Sequence, residues 1–125
     1  MTLACHCRGC QRLTSSAYSV SGVFAREAFE LTAGQPVIGA LRGEVEHWYC
    51  DSCKSWIYTV PPGETPVVNV RLTLLDDPPR GRPHVEMCTN EAQDWALLGS
   101  AHQYAGFPPP EDYPALARSF AGRSD

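Results

Sequence analysis

The chain has 125 residues, a formal net charge of -4, and apolar content ordinary for a packed protein. That length suits one modest hydrophobic core and a single domain spanning residues 1–125, and the composition argues against disorder. No basic block is present, which disfavours nucleic acid as a partner, and no apolar run is long enough to span a bilayer, which disfavours a membrane.

The N-terminus, Met-Thr-Leu-Ala-Cys-His-Cys, lacks the charged start and apolar stretch of a signal peptide. A cytoplasmic location is the resulting expectation. Thiols stay reduced there, so six cysteines point to metal or catalysis before disulfides.

Taken in chain order, most segments read as strands. Residues 17–24 place Tyr18, Val20 and Phe24 on one side, opposite small or polar residues apart from Val23. One turn of helix is expected over 25–28, and Ala33-Gly34-Gln35-Pro36 and Arg42-Gly43 are turn signals. Val45, His47 and Tyr49 share a side in 44–49, as do Trp56, Tyr58 and Val60 in the next run. Pro61-Pro62-Gly63 then turns the chain. In the longest run, Val68, Val70, Leu72 and Leu74 oppose Asn69, Arg71 and Thr73, before Asp76-Asp77-Pro78-Pro79 breaks it. This period of two predicts half-buried antiparallel strands near 17–24, 44–49, 55–60 and 67–74. Residues 84–88 form a weaker strand candidate, and a second helical piece is expected over 112–120, after Pro108-Pro109-Pro110. The predicted class is all-β with few short helices.

Two cysteine clusters carry the chemistry. Cys5-His6-Cys7-Arg8-Gly9-Cys10 puts three thiols within six residues, and Cys50-Asp51-Ser52-Cys53 puts two more just after a predicted strand. A C-x-x-C turn lets both sulfurs converge on one ion at about 2.3 Å, the usual zinc–sulfur distance. Thiolate is a soft ligand, which favours zinc over harder ions; an iron–sulfur cluster usually needs a fourth nearby cysteine.

The metal-ligand candidates are therefore Cys5, Cys7, Cys10, Cys50 and Cys53. Two of the first three plus Cys50 and Cys53 would make a closed four-cysteine structural site and a non-catalytic binding or glutathione-carrier module. A redox dithiol at Cys50 and Cys53 is disfavoured by the lack of a thioredoxin-like βαβ pattern. Cys88, alone on a weak strand, reads as a buried small apolar residue. His47 and His102 read as packing or surface residues, and His84 as structural ahead of functional. His6, between two cysteines, should point away from them.

The stretch Cys5-His6-Cys7-Arg8-Gly9-Cys10-Gln11-Arg12-Leu13-Thr14-Ser15-Ser16-Ala17-Tyr18 resembles the core motif of the glutathione-dependent formaldehyde-activating enzyme family, which includes centromere protein V. Tyr49-Cys50-Asp51-Ser52-Cys53, Leu74-Leu75-Asp76-Asp77, Pro83-His84-Val85, Trp95 and Tyr104-Ala105-Gly106-Phe107-Pro108 resemble later family motifs in the expected order. The resemblance implies a β-tent fold of antiparallel sheets. It also implies a catalytic zinc on Cys5, Cys7 and Cys10, and a structural zinc shared between an earlier C-x-C hairpin and Cys50 with Cys53.

The implied activity is a carbon–sulfur lyase type of reaction joining glutathione to formaldehyde or a related aldehyde. Glutathione is then substrate or ligand, and Zn2+ the cofactor. Here no earlier hairpin precedes Cys5, Lys54 stands where the family usually has Gly after the second C-x-x-C, Ser15 stands where Gly is common, and Asp94 where Pro often precedes the Trp. The expectation is at most one zinc per chain, with the structural site either lost or completed by sequence upstream of Met1.

Three thiolates leave one tetrahedral position open, as in catalytic zinc sites. They also leave net negative charge on the centre, which favours activation of a substrate thiol over polarisation of a carbonyl. Arg8, Arg12 and Lys54 are candidates to hold the carboxylates of a glutathione-like ligand.

Overall fold

The computed structural model describes residues 1–39 and 43–123. It is sheet-dominated, with eight strands and two short α-helices among the described residues, which agrees with the all-β expectation. Arg42 of the expected Arg42-Gly43 turn lies outside the described residues. No helix among the described residues is long and apolar enough to cross a membrane. The chain divides into two compact units, one formed by Met1–Val20 with the chain from Pro79 onward, the other by Ser21–Pro78.

The first unit opens with β1 (Thr2–Cys5), every residue of which is buried. The α1 helix (Arg8–Thr14) follows directly. Strand β7 (Val85–Met87) pairs with β1 in parallel, in the register Leu3 to Val85, Ala4 to Glu86 and Cys5 to Met87. Strand β8 (His102–Gln103) pairs with β7, again in parallel. This part departs from the antiparallel expectation, for a physical reason. Strands buried on both faces need no polar alternation, so β1 carries no period-two signal. Leu3, Ala4, Val85, Met87, Ala96 and Leu116 form the apolar core, Leu116 from α2 (Tyr113–Ala121), near the helix expected over 112–120.

The second unit holds the rest of β2 (Ser19–Ala25) with β3 (Val37–Ile38), β4 (Glu46–Tyr49), β5 (Trp56–Val60) and β6 (Val67–Arg71). Here the pairing is antiparallel: β3 with β4, β4 with β5, β5 with β6, and β6 with β2. The period-two residues meet across strands, as sheet stabilisation requires. Trp48 stacks on Tyr58 at 5.8 Å and Tyr49 on Trp56 at 6.3 Å. The guanidinium of Arg71 lies 3.8 Å over the Trp56 ring, a cation–π contact that helps bury a charged side chain. The run expected over 67–74 stops at Arg71, because Leu72–Leu74 closes into a 3-10 turn that still buries Leu72. The turn expected over 25–28 is the 3-10 turn Arg26–Ala28.

Candidate metal centre

Strand β1 delivers Cys5 at its last position, and α1 begins three residues later. Cys7 is the N-cap of α1, its sulfur accepting the Cys10 backbone N–H at 3.3 Å. That bond occupies one of the amides a helix start leaves unpaired and holds Cys10 over Cys7. As a result the sulfurs of Cys5, Cys7 and Cys10 all lie within 4.8 Å of one another.

The arrangement fits a metal. Tetrahedral bonds of about 2.3 Å place sulfurs about 3.8 Å apart, so small side-chain adjustments close the triad on one ion. Of the three thiols, Cys5 is buried and Cys7 and Cys10 are partly exposed.

Mutual hydrogen bonding and burial shift the thiols in different directions. Hydrogen bonds from Cys10 first, then from Cys5 and Cys88, hold the Cys7 thiol far below the ordinary thiol range. Cys10 is pushed far up by its bonds to Cys5 and Cys7 and by burial. At Cys5, the lowering bond with Cys10 is outweighed by those with Cys7 and Cys88 and by burial, so it too is pushed up. The three thiols therefore strongly perturb one another. A metal cation would supply the positive charge needed for them to ionise.

His6 points elsewhere. Its Nε2 lies 2.8 Å from Glu86 Oε1, and both side chains are fully buried. Its ring also packs against Tyr18 at 5.2 Å. Glu86 accepts the Leu98 N–H on Oε1 at 2.7 Å and the Ser100 N–H on Oε2 at 3.2 Å. Burial alone would raise the Glu86 carboxyl, but the Leu98 and Ser100 donors together with His6 outweigh it and hold the carboxyl below its ordinary value. The other histidines stand in packing contacts: His47 edge-on to Trp56, and His84 against His102 and Phe120.

Arg8 and Arg12 are exposed on α1. With Gln11, Ser16, Gln93 and Trp95 they line an open groove of about 560 Å³. The groove is built by α1 and the segment after β7: Glu91 Oε2 accepts the Arg8 N–H at 2.6 Å, and the Gln11 side-chain amide donates to the carbonyls of His6 at 2.6 Å and Glu91 at 2.9 Å. Trp95 is 80% exposed, leaving an aromatic face free at the groove edge.

Lys54 lies in the other unit, where its ammonium pairs with Asp51 Oδ1 at 2.7 Å and also donates to the Asp51 carbonyl. Cys50 is partly buried and Cys53 exposed, and neither sulfur belongs to a converging group of three or more candidate ligands among the described residues. All six cysteines are free thiols. Lys54 and Ser15 both adopt positive φ, 61° and 51°, at the positions where the resemblance leads one to expect Gly. The left-handed turns are therefore kept without the residue that adopts them at least cost.

A family model, glutathione-dependent formaldehyde-activating enzyme, matches residues 1–91. The chain belongs to the glutathione-dependent formaldehyde-activating enzyme family. No curated protein matches the chain significantly. The family match takes in both cysteine clusters, both arginines of the groove, β7 and Glu91.

Beyond the motif, three residues of this unit bear on its thiols and on His6. Cys88, read as a buried apolar residue, is buried as expected, and its thiol is pushed up to about 12, the lowering by Cys5 being outweighed by Cys7 and by burial. The Tyr113 phenol, at the start of α2, is pushed up by burial and then by the charges of Cys5 and Cys88. Glu86 is the third. None has a local spacing signal; Glu86 meets His6 only through the pairing of β7 with β1.

Proposed function

We propose that the protein is a zinc-dependent carbon–sulfur lyase acting on glutathione-type thiol adducts of formaldehyde or a related aldehyde. The observation that carries this reading is the convergence of the Cys5, Cys7 and Cys10 sulfurs within 4.8 Å, in a chain of this family. Zinc held there would supply stabilisation of a substrate thiolate and would lower the thiol's proton affinity.

The chain's own residues do the rest. Cys5, Cys7 and Cys10 hold the ion and leave a position for substrate sulfur. Arg8 and Arg12, on the same short helix as Cys10, bind the carboxylates of a glutathione-like ligand in the groove, where guanidinium can pair bidentately. Lys54, paired with Asp51 in the other unit, carries no part of this reading. In the cleavage direction the adduct's hydroxyl loses its proton, the carbon–oxygen bond becomes a carbonyl, and the carbon–sulfur electron pair returns to sulfur. The reverse sequence forms the adduct. A reducing compartment such as the cytoplasm suits six free thiols.

The test is to load the protein with zinc, mix glutathione and formaldehyde, and follow S-hydroxymethylglutathione by nuclear magnetic resonance. The expected result is acceleration by the wild type that disappears in Cys7→Ser, since a hydroxyl is a poor zinc ligand. Equal rates for the two proteins overturn the reading. Glutathione binding without turnover would instead mark a carrier.

A further inference from the structure

We infer that His84 is the trigger of an acid-released latch: neutral, its ring is a surface on which helix α2 packs, and protonated, it drives α2 off that surface. The latch does not depend on the metal reading above.

His84 directly precedes β7, and its backbone is fixed from both sides. Its N–H donates to the Thr2 carbonyl at 3.1 Å and to Thr2 Oγ1 at 3.0 Å, while its carbonyl accepts the His102 N–H at 3.2 Å. The residue is 2% exposed, and neither ring nitrogen has a hydrogen-bond partner among the described residues. Folded proteins seldom leave a buried donor and acceptor unpaired, because both have given up water for nothing in return. The ring serves instead as a packing surface. Its centroid lies 4.7 Å from that of His102 and 5.4 Å from that of Phe120, both edge-on.

Phe120 belongs to α2, and so does Ser119, whose Oγ lies 3.2 Å from His102 Nε2. The helix therefore rests on both histidines. Its remaining hold is thin, for Leu116 is its one fully buried residue. An element with so few buried apolar contacts opens at lower cost than the fold as a whole. A charge placed under it acts first on that element.

The surroundings of the ring oppose such a charge. Facing it are the Met1 amino group just before β1, His102 of β8, Phe120 and the Leu116 backbone of α2, and Arg123 beyond α2. None of these is a carboxylate. Burial first, then His102 and Arg123, hold His84 below the ordinary histidine value, and the Leu116 backbone pulls the other way without reversing them. With α2 undocked the ring meets water and returns to the ordinary value of about 6.5. The undocked state thus binds the proton more readily. Docking is fully stable above that ordinary value and weakens as pH falls from it toward the docked one. Uptake of one proton raises the open population by up to about tenfold per pH unit across that window.

Full-length protein is followed by hydrogen–deuterium exchange from about pH 7.5 to about pH 5, with rates corrected for the intrinsic effect of pH on exchange. The expected result is a loss of protection of about tenfold in Tyr113–Ala121, with β5 and β6 unchanged. His84→Phe keeps an aromatic ring that takes no proton, and His84→Gln is a smaller neutral replacement. Either folded variant should hold its α2 protection level across the range, whereas His102→Gln should still release. In the wild type, the His84 ring resonances and the α2 amides should shift together, at one midpoint below about 6.5, which decides the matter if neither variant folds. No loss in the wild type, the same loss in a folded His84 variant, a loss shared equally by β5 and β6, or separate midpoints for the ring and the helix would each overturn the latch.

Discussion

The Nε2 of His6 and the Oε1 of Glu86 lie 2.8 Å apart with no exposure of either side chain. The link ties the residue between two metal-ligand cysteines to the centre of β7, and so fixes which way the C-x-C segment faces. Cys5 ends β1 and Cys7 caps α1, so the two thiols flank His6 at the turn from strand to helix. Breaking a buried pair by removing one partner costs about 3–5 kcal/mol, because the other polar group is left uncompensated. Glu86→Ala is therefore expected to lower stability by about that amount. Two backbone amides, of Leu98 and Ser100, would lose their acceptor as well. Urea denaturation of the two proteins checks it; a difference within the ordinary scatter of surface substitutions would contradict the role given to this pair.

The same carboxylate sets a pH dependence. Its folded value is held below the ordinary one. The unfolded state then binds the proton more readily, so the contribution to stability is fully present above the unfolded carboxyl value and is lost as pH falls through the folded one. Glu86→Gln removes this titration. The stability difference between wild type and Glu86→Gln should shrink as pH is lowered through the acidic carboxylate range, and stay level from there to neutral pH. A gap that widens on acidification would reverse the sign argued here.

How much of this was legible beforehand depended on sequence distance. The runs holding Trp56, Tyr58, Val68 and Val70 betray themselves by alternation, since one side of each faces the core. β1 does not alternate because all four residues are buried, and β7 is equally buried. Leu72 and Leu74 continue the parity of β6 yet close a 3-10 turn, because apolar spacing of two does not distinguish a strand from a tight turn that buries its first residue. The helix α1 buries none of its residues fully and so shows no apolar stripe. The thiol triad was readable since its members are neighbours in sequence. Glu86 and Glu91 were not, for they reach the motif from β7 and the segment after it, about eighty residues away.

Ser15 closes α1 with φ 51°, its N–H bonded to the Gln11 carbonyl. The left-handed conformation costs a non-glycine residue about 1–2 kcal/mol, while Gly adds unfolded-chain entropy of about 0.4–1 kcal/mol. Ser15→Gly should therefore stabilise the protein by roughly 0.5–1 kcal/mol, read as a raised denaturation midpoint at unchanged slope. A lowered midpoint would show that the serine hydroxyl is worth more than the backbone strain.

Arg8 and Arg12 are exposed and line the groove. Pairing with carboxylates at such a site is partly screened, so each guanidinium should contribute about threefold to tenfold in affinity. The double substitution Arg8→Ala with Arg12→Ala should weaken glutathione binding accordingly while zinc content stays the same. Equal affinity in titration calorimetry at low salt would remove the arginines from the ligand site.

Cys53 offers a contrast within one chain. Its Sγ lies 3.2 Å from Ser55 Oγ, and that hydrogen bond first, then the Ser55 amide and the Cys50 thiol, lower it to about 7. Cys88, where the lowering bond with Cys5 is outweighed by that with Cys7 and by burial, is pushed up to about 12. The thiolate is the nucleophile, so brief iodoacetamide treatment at neutral pH should label Cys53 well before Cys88. Ser55→Ala should slow the labelling of Cys53 severalfold. Peptide mapping by mass spectrometry reads both outcomes, and prior labelling of Cys88 would contradict them.

The last prediction separates the two ways of building a metal centre from these cysteines. In zinc-finger peptides a structural zinc supplies about 10–16 kcal/mol of binding, so a site with only two protein thiols forgoes most of that and depends on water or another residue. Cys50 and Cys53 supply two sulfurs, and among the described residues no third candidate ligand converges on them. Cys5, Cys7 and Cys10 already form a converging group without them. Replacing both Cys50 and Cys53 with Ser should therefore leave one zinc per chain bound, as read by native mass spectrometry. Cys5→Ser with Cys7→Ser should remove it, because hydroxyls do not substitute for thiolates on a soft-ligand site. Loss of all zinc from the Cys50 and Cys53 variant would instead mean that these sulfurs complete the site. The centre would then be closed by the second cluster, and the case for a substrate position on Cys5, Cys7 and Cys10 would fall with it.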